Sequence, residues 1–202
     1  MIAIVDYGVG NLFSLKSSFA AIGVDVVVTG DPQVIADAEK IILPGVGAFE
    51  DAARKLSDSG LDKVIKDEVA KGKPLLGICL GMQMLFDVSY EYGEHKGLGL
   101  ISGSVKPIRP EISEELKIPH IGWNPLIIKK ESPILKYVEE GECVYFVHSY
   151  YAADCDESVA SVSEYGAYLT ASVSLGNVHG CQFHPEKSGK TGLNILKAYA
   201  EL

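Results

Sequence analysis

The sequence predicts a single α/β domain over residues 1–202, with a mainly parallel central sheet flanked by helices and an additional antiparallel or mixed β extension. Three observations predict it. Short β-rich runs alternate with helical stretches through the first half, which implies parallel strands covered on both faces. One of those runs ends in a tight Gly-x-Cys-x-Gly turn. The second half changes to closely spaced β-prone runs separated by Pro and Gly. Ligands of a sheet of this type gather at the carboxyl ends of its strands.

Ile2–Val5 reads as the first strand. Asp6-Tyr7-Gly8-Val9-Gly10-Asn11 then resembles a phosphate-binding glycine turn, but lacks the third glycine and the acidic residue of a dinucleotide site, and no P-loop lysine follows. It is read as a strand-to-helix turn with Asn11 as cap. Leu12–Ile22 has helical apolar spacing, and Val24–Val28 and Lys40–Leu43 are short strands. Ala48–Val69 is helical with a break at Ser59-Gly60, and Pro74–Ile78 is the strand before the cysteine. From Gly97 to Val178 the runs are short; Tyr145–His148 and Ala167–Val173 are strands of the extension. Ser188–Glu201 is a terminal helix, with Leu193, Leu196 and Ala200 on one side.

A chain of 202 residues with 47% hydrophobic content can bury a full core. A net charge of −9 without a basic stripe argues against nucleic-acid binding. No apolar run reaches membrane-spanning length, and Met1–Asp6 has no basic n-region of a signal peptide. Cys79, Cys143, Cys155 and Cys181 lack metal or disulfide spacing, so a reduced, cytoplasmic setting is expected, with no metal. Apart from Cys79, these cysteines are taken as structural.

In Gly77-Ile78-Cys79-Leu80-Gly81 the thiol sits at the tip of a strand–turn–helix. Small neighbours let the backbone turn tightly, and the first N–H groups of a helix favour a thiolate. An ordinary cysteine is more often buried packing, but downstream lies His184-Pro185-Glu186. A histidine two positions from a carboxylate can have its tautomer fixed by it and can deprotonate the thiol. Pro44-Gly45-Val46-Gly47, at another strand end, can offer backbone N–H groups to an oxyanion after a peptide flip that glycine makes inexpensive. Met82 and Met84 are read as packing, and the sole tryptophan, Trp123, as either core or interface.

These stretches, with His120-Ile121-Gly122-Trp123-Asn124, Tyr145-Phe146-Val147-His148-Ser149-Tyr150 and Gln182–Ser188, resemble the class I (triad) glutamine amidotransferases over nearly the whole chain. Within them the chain is most similar to the glutaminase subunits of imidazole glycerol phosphate synthase. The resemblance implies hydrolysis of L-glutamine without a cofactor, and delivery of ammonia to a (β/α)8-barrel cyclase subunit in a heterodimer of histidine biosynthesis. Position by position it implies Cys79 as nucleophile, His184 as base then acid, and Glu186 as orienting carboxylate. It implies an oxyanion hole from Leu80 and the Val46–Gly47 stretch, and glutamine held by Gln83, His148, Ser149 and Tyr150. Trp123, Tyr145 and Lys187 match positions facing the partner and the ammonia passage. Competing readings are a glutaminase subunit of another pathway, a stand-alone cysteine peptidase, and a non-catalytic glutamine-binding subunit.

Overall fold

Ile2–Val5, Leu75–Ile78 and Val178–Cys181 are buried at every position, as strands covered on both faces must be. The computed structural model, which describes residues 1–202, begins with β1 (Ile2–Val5), α1 (Leu12–Ala21), β2 (Val26–Thr29), α2 (Pro32–Asp37) and β3 (Lys40–Leu43). Then come α3 (Phe49–Asp58), α4 (Leu61–Ala70), β4 (Leu75–Ile78) and the single turn α5 (Leu80–Gln83). The second half holds β5 (Val88–Ser89), β6 (His95–Lys96), β7 (Ser104–Pro107), β8 (His120–Pro125), β9 (Ile127–Ile128) and β10 (Cys143–His148). It finishes with β11 (Tyr150–Ala153), β12 (Val159–Glu164), β13 (Tyr168–Leu175), β14 (Val178–Cys181) and α6 (Gly189–Ala200).

Eight strands form the main sheet, in the order β2-β1-β3-β4-β14-β13-β12-β9. It is parallel from β2 to β14, and antiparallel beyond. β8 and β10 form a separate ribbon, while β11-β7-β5-β6 make a small mixed sheet. Insertion of β14 beside β4, with Cys181 opposite Ile78, sets two distant chain segments side by side at their carboxyl ends. Alternate side chains enter opposite layers: Ile2 and Ile4 pack with Phe19, Leu196 and Tyr199 of α1 and α6, whereas Ala3 and Val5 join Ile35, Leu56 and Ile65 under α2–α4.

The helix break falls at Gly60, which is left-handed at φ +73°. Four expectations are corrected. Asn11 occupies the start of α1 but makes no capping side-chain hydrogen bond. The helix after the cysteine is one turn long, so it supplies its first N–H groups rather than an extended macrodipole. α6 buries Ile195, Leu196 and Tyr199, leaving Leu193 and Ala200 at its margin. Cys143 is exposed and fills no core position. Met82 and Met84 are core residues, as expected. No helix is long and apolar enough to cross a membrane.

Candidate active site

Cys79 leaves β4 at φ +54°, ψ −111°, a conformation that costs a non-glycine residue on the order of 1–3 kcal/mol. Its surroundings hold it there. The Cys79 amide donates to the Cys181 carbonyl at 2.8 Å, and its own carbonyl accepts from Gln83 N at 3.1 Å. Both flanking glycines are required by close approach. A Cβ on Gly81 would lie 1.9 Å from the Leu43 carbonyl oxygen, and one on Gly77 would lie 2.7 Å from the Gly81 oxygen. This is the elbow that the sequence predicts.

His184 follows β14, directly beside Cys79. Pro185 opens a 3-10 turn over Pro185–Lys187 that brings Glu186 back onto the imidazole, with Glu186 Oε1 2.9 Å from His184 Nδ1. The His184 backbone is braced as well: its N–H donates to Tyr145 O at 3.0 Å, and its carbonyl accepts from Ser188 Oγ at 2.6 Å. Burial disfavours charge on this ring, but hydrogen bonds to Cys79 and Glu186 outweigh it and raise the His184 pKa to about 9.

On the other side of β4, the loop after β3 is pinned at both ends. Tyr7 OH donates to Pro44 O at 2.7 Å, and a Cβ on Gly10 would touch the Pro44 ring at 2.9 Å. The glycine turn after β1 thus buttresses this loop. Downstream, Phe49 N donates to Glu91 Oε2 at 2.6 Å. Gly45 is wedged, since its Cβ would meet Gly81 N at 2.7 Å, but Gly47 stands in open space at φ +92°.

Cys79, His184, Val46, Gly47 and Leu80 line a cavity of about 300 Å³ with Gln83, His148, Ser149, Tyr150 and Lys187. Gln83 Nε2 donates to Tyr150 O at 3.2 Å and to Gln182 Oε1 at 3.0 Å, which leaves Gln83 Oε1 as the free acceptor. His148 Nδ1 lies 2.8 Å from Tyr150 O and its Nε2 3.0 Å from His120 Nδ1. Burial pushes the His148 pKa down to about 3, so its ring is neutral. Trp123 and Tyr145 lie outside the cavity: they pair edge-to-face across β8 and β10 at 6.1 Å, with Trp123 55% exposed. Trp123 is therefore not a core residue. Lys187 Nζ sits 5.8 Å from the Tyr145 ring centre, between cavity and patch.

Sequence reasoning did not single out Glu91, Pro119 and Val147, which also line the cavity, or Gln182, which touches the Cys79 sulfur. Gln182 lies inside the motif stretch around His184, whereas nothing in the pattern around Glu91 marks it. No group of three or more His, Cys, Asp or Glu side chains converges to hold a metal ion.

The family described as glutamine amidotransferase class-I matches residues 3–199. The chain belongs to the class-I glutamine amidotransferases. Among curated members of this class, it is 48% identical over 203 residues to "Imidazole glycerol phosphate synthase subunit HisH" of Caldanaerobacter subterraneus subsp. tengcongensis, covering 100% of this chain and 98% of that one. The protein of the same name from Aquifex aeolicus is 50% identical over 198 residues, covering 97% and 94%. Solved structures share the amidotransferase fold. One titled "Crystal structure of glutamine amidotransferase" aligns at TM-score 0.76 with 18% identity, covering 99% of this chain and 100% of that one. "Structure of PurLQS from Thermotoga maritima" aligns at TM-score 0.74 with 22% identity, covering 99% and 97%.

Proposed function

We propose that this chain is the glutaminase subunit of an imidazole glycerol phosphate synthase, hydrolysing L-glutamine to glutamate and ammonia through Cys79, His184 and Glu186. The observation that carries the chemistry is the meeting, in one cavity, of a strained cysteine with a buried imidazole anchored by a carboxylate. The near-full-length likeness to proteins named as this subunit supports the pathway.

The Cys79 sulfur attacks the side-chain amide carbon of glutamine. N–H groups of Leu80 and of the Val46–Gly47 stretch receive the oxyanion. His184 gives its proton to the leaving nitrogen, releasing ammonia and a glutamyl thioester. The neutral ring, held in one tautomer by Glu186, then takes a proton from water, which attacks the thioester and frees glutamate. Gln83 Oε1 and the Glu91 carboxylate are suited to the α-ammonium group, with His148, Ser149 and Tyr150 lining the rest of the substrate cavity.

Because Pro44 and Phe49 are pinned and Gly45 is wedged, the peptide free to rotate is Val46–Gly47. A partner that sets this peptide controls an oxyanion donor worth on the order of a hundredfold in rate. The partner is a (β/α)8-barrel cyclase subunit, docked in a heterodimer over the patch of Trp123, Tyr145 and Lys187. Ammonia loses its nucleophilicity when protonated in water, so a sealed passage to the cyclase keeps it reactive for making imidazole glycerol phosphate and AICAR.

Acid-quenched mass spectrometry of the complex turning over glutamine tests the assignment. A glutamyl adduct on the Cys79 peptide, lost in Cys79→Ser, is expected. Full glutaminase activity in Cys79→Ser overturns it.

A further inference from the structure

We infer that Gln182 is a further catalytic residue, whose side-chain N–H donates to the Cys79 sulfur and holds it as a thiolate poised for attack. The inference rests on the reading of Cys79 as nucleophile.

Gln182 is fully buried, and its Nε2 lies 3.7 Å from Cys79 Sγ, within range for a bond to the large sulfur atom. Its place follows from topology. β14 ends at Cys181 and the chain bends through Gln182 and Phe183, which brings both Gln182 and His184 against Cys79 at the end of β4. The sulfur therefore has two protein partners, the His184 imidazole and the Gln182 amide.

The two ends of a glutamine amide have nearly the same shape, so the direction of this contact must come from its neighbours. It starts at the Tyr150 carbonyl, a backbone oxygen that can only accept. Facing it at 3.2 Å, Gln83 must present Nε2, and the same NH2 group reaches Gln182 Oε1 at 3.0 Å. That leaves Gln182 only its Nε2 for the sulfur. Reversing Gln182 alone would set two NH2 groups against each other. Reversing both would press the Gln83 oxygen against the Tyr150 oxygen. The Tyr150 carbonyl is held in turn by His148 Nδ1 at 2.8 Å. One backbone oxygen thus fixes the polarity of a contact three links away.

A hydrogen bond to an anion is stronger than one to a neutral group, so an N–H on sulfur favours thiolate over thiol. The amide transfers no proton. Its bond weakens as charge moves from sulfur to the oxyanion, and reforms when the thioester is cleaved and thiolate departs. Gln182 does not line the cavity, so its effect falls on the sulfur rather than on glutamine binding.

The test is the rate at which iodoacetamide alkylates Cys79, measured against pH without glutamine. The adduct is located by peptide mass, in a Cys143→Ser background that removes the exposed thiol. Gln182→Leu keeps the shape and loses the donor, and is expected to move the midpoint of the profile up by about one pH unit, a tenfold loss of reactive thiolate at neutral pH. Gln182→Glu, which places a carboxylate there, is expected to move it further in the same direction. Gln83→Leu leaves Gln182 in place but frees its orientation, and is expected to give a smaller upward shift. It decides the matter if Gln182 variants fail to fold. Profiles superimposable on the parent in the folded variants overturn the inference. Alkylation needs only the thiol, so this result is separate from the glutaminase test of Cys79→Ser.

Discussion

Glu186 Oε1 lies 2.9 Å from His184 Nδ1, and the two side chains are 1% and 3% exposed. The second carboxylate oxygen, Oε2, is buried and has no hydrogen-bond partner. Glu186 is thus committed to one contact, and Glu186→Gln is expected to lower kcat by on the order of a hundredfold or more, with little change in glutamine KM. Steady-state glutaminase kinetics of the complex check this.

The same pair makes stability depend on pH. Burial lowers the His184 pKa, but hydrogen bonds to Cys79 and, after it, to Glu186 raise it from 6.5 to about 9. The stabilisation of its charged form is therefore complete below about pH 6.5 and is lost as pH rises through about 9. Glu186→Gln removes the Glu186 share of this rise and keeps that of Cys79, so urea midpoints of parent and variant are expected to differ most near pH 6 and to draw together as pH rises through about 9.

Gly81→Ala is expected to be severely destabilising, because its Cβ would lie 1.9 Å from the Leu43 carbonyl oxygen, which cannot rotate away. A loss of about 3 kcal/mol or more, or failure to fold, is expected in denaturant titration. Gly47→Ala is sterically free and strained only by φ +92°, so its cost is about 1–2 kcal/mol. Its larger effect is on activity: partner-stimulated hydrolysis falls at least about tenfold, because the peptide meant to rotate is stiffened.

Glu91 caps Phe49 through Oε2 and lines the cavity. Glu91→Gln is expected to raise glutamine KM about tenfold, since a neutral amide cannot neutralise an α-ammonium group. Michaelis curves for glutamine, with a melting curve as control for the lost cap, check it.

Trp123 is 55% exposed and packs edge-on against Tyr145. Trp123→Ala is expected to change stability by less than about 0.5 kcal/mol, yet to weaken cyclase binding by about tenfold or more. Titration calorimetry with the cyclase separates the two effects.

Much of this architecture is legible in the sequence because its signals are local. The strands Ile2–Val5 and Lys40–Leu43 appear at the predicted residues, and the helix break at Gly60 follows from its left-handed backbone. The elbow glycines are legible because only a residue without Cβ fits there. The helix Pro32–Asp37 is not assigned from the sequence, because its apolar pattern is too short to stand out even though Asp31 caps it and Pro32 opens it. Glu91 and Gln182 lie beyond periodicity and turn chemistry. Glu91 reaches the site only because the small sheet folds its loop against α3, and Gln182 only because β14 inserts beside β4. The face of α6 was misplaced because its buried side is set by contact with α1 and the sheet rather than by the spacing of its leucines alone.

Glutamate release should be measured from this chain alone, with the cyclase subunit, and with the cyclase loaded with its nucleotide substrate. Near-idle hydrolysis alone and a rise of a hundredfold or more with the loaded partner are expected, as when an oxyanion donor is set in place. Rapid turnover that ignores both partner and ligand would contradict this.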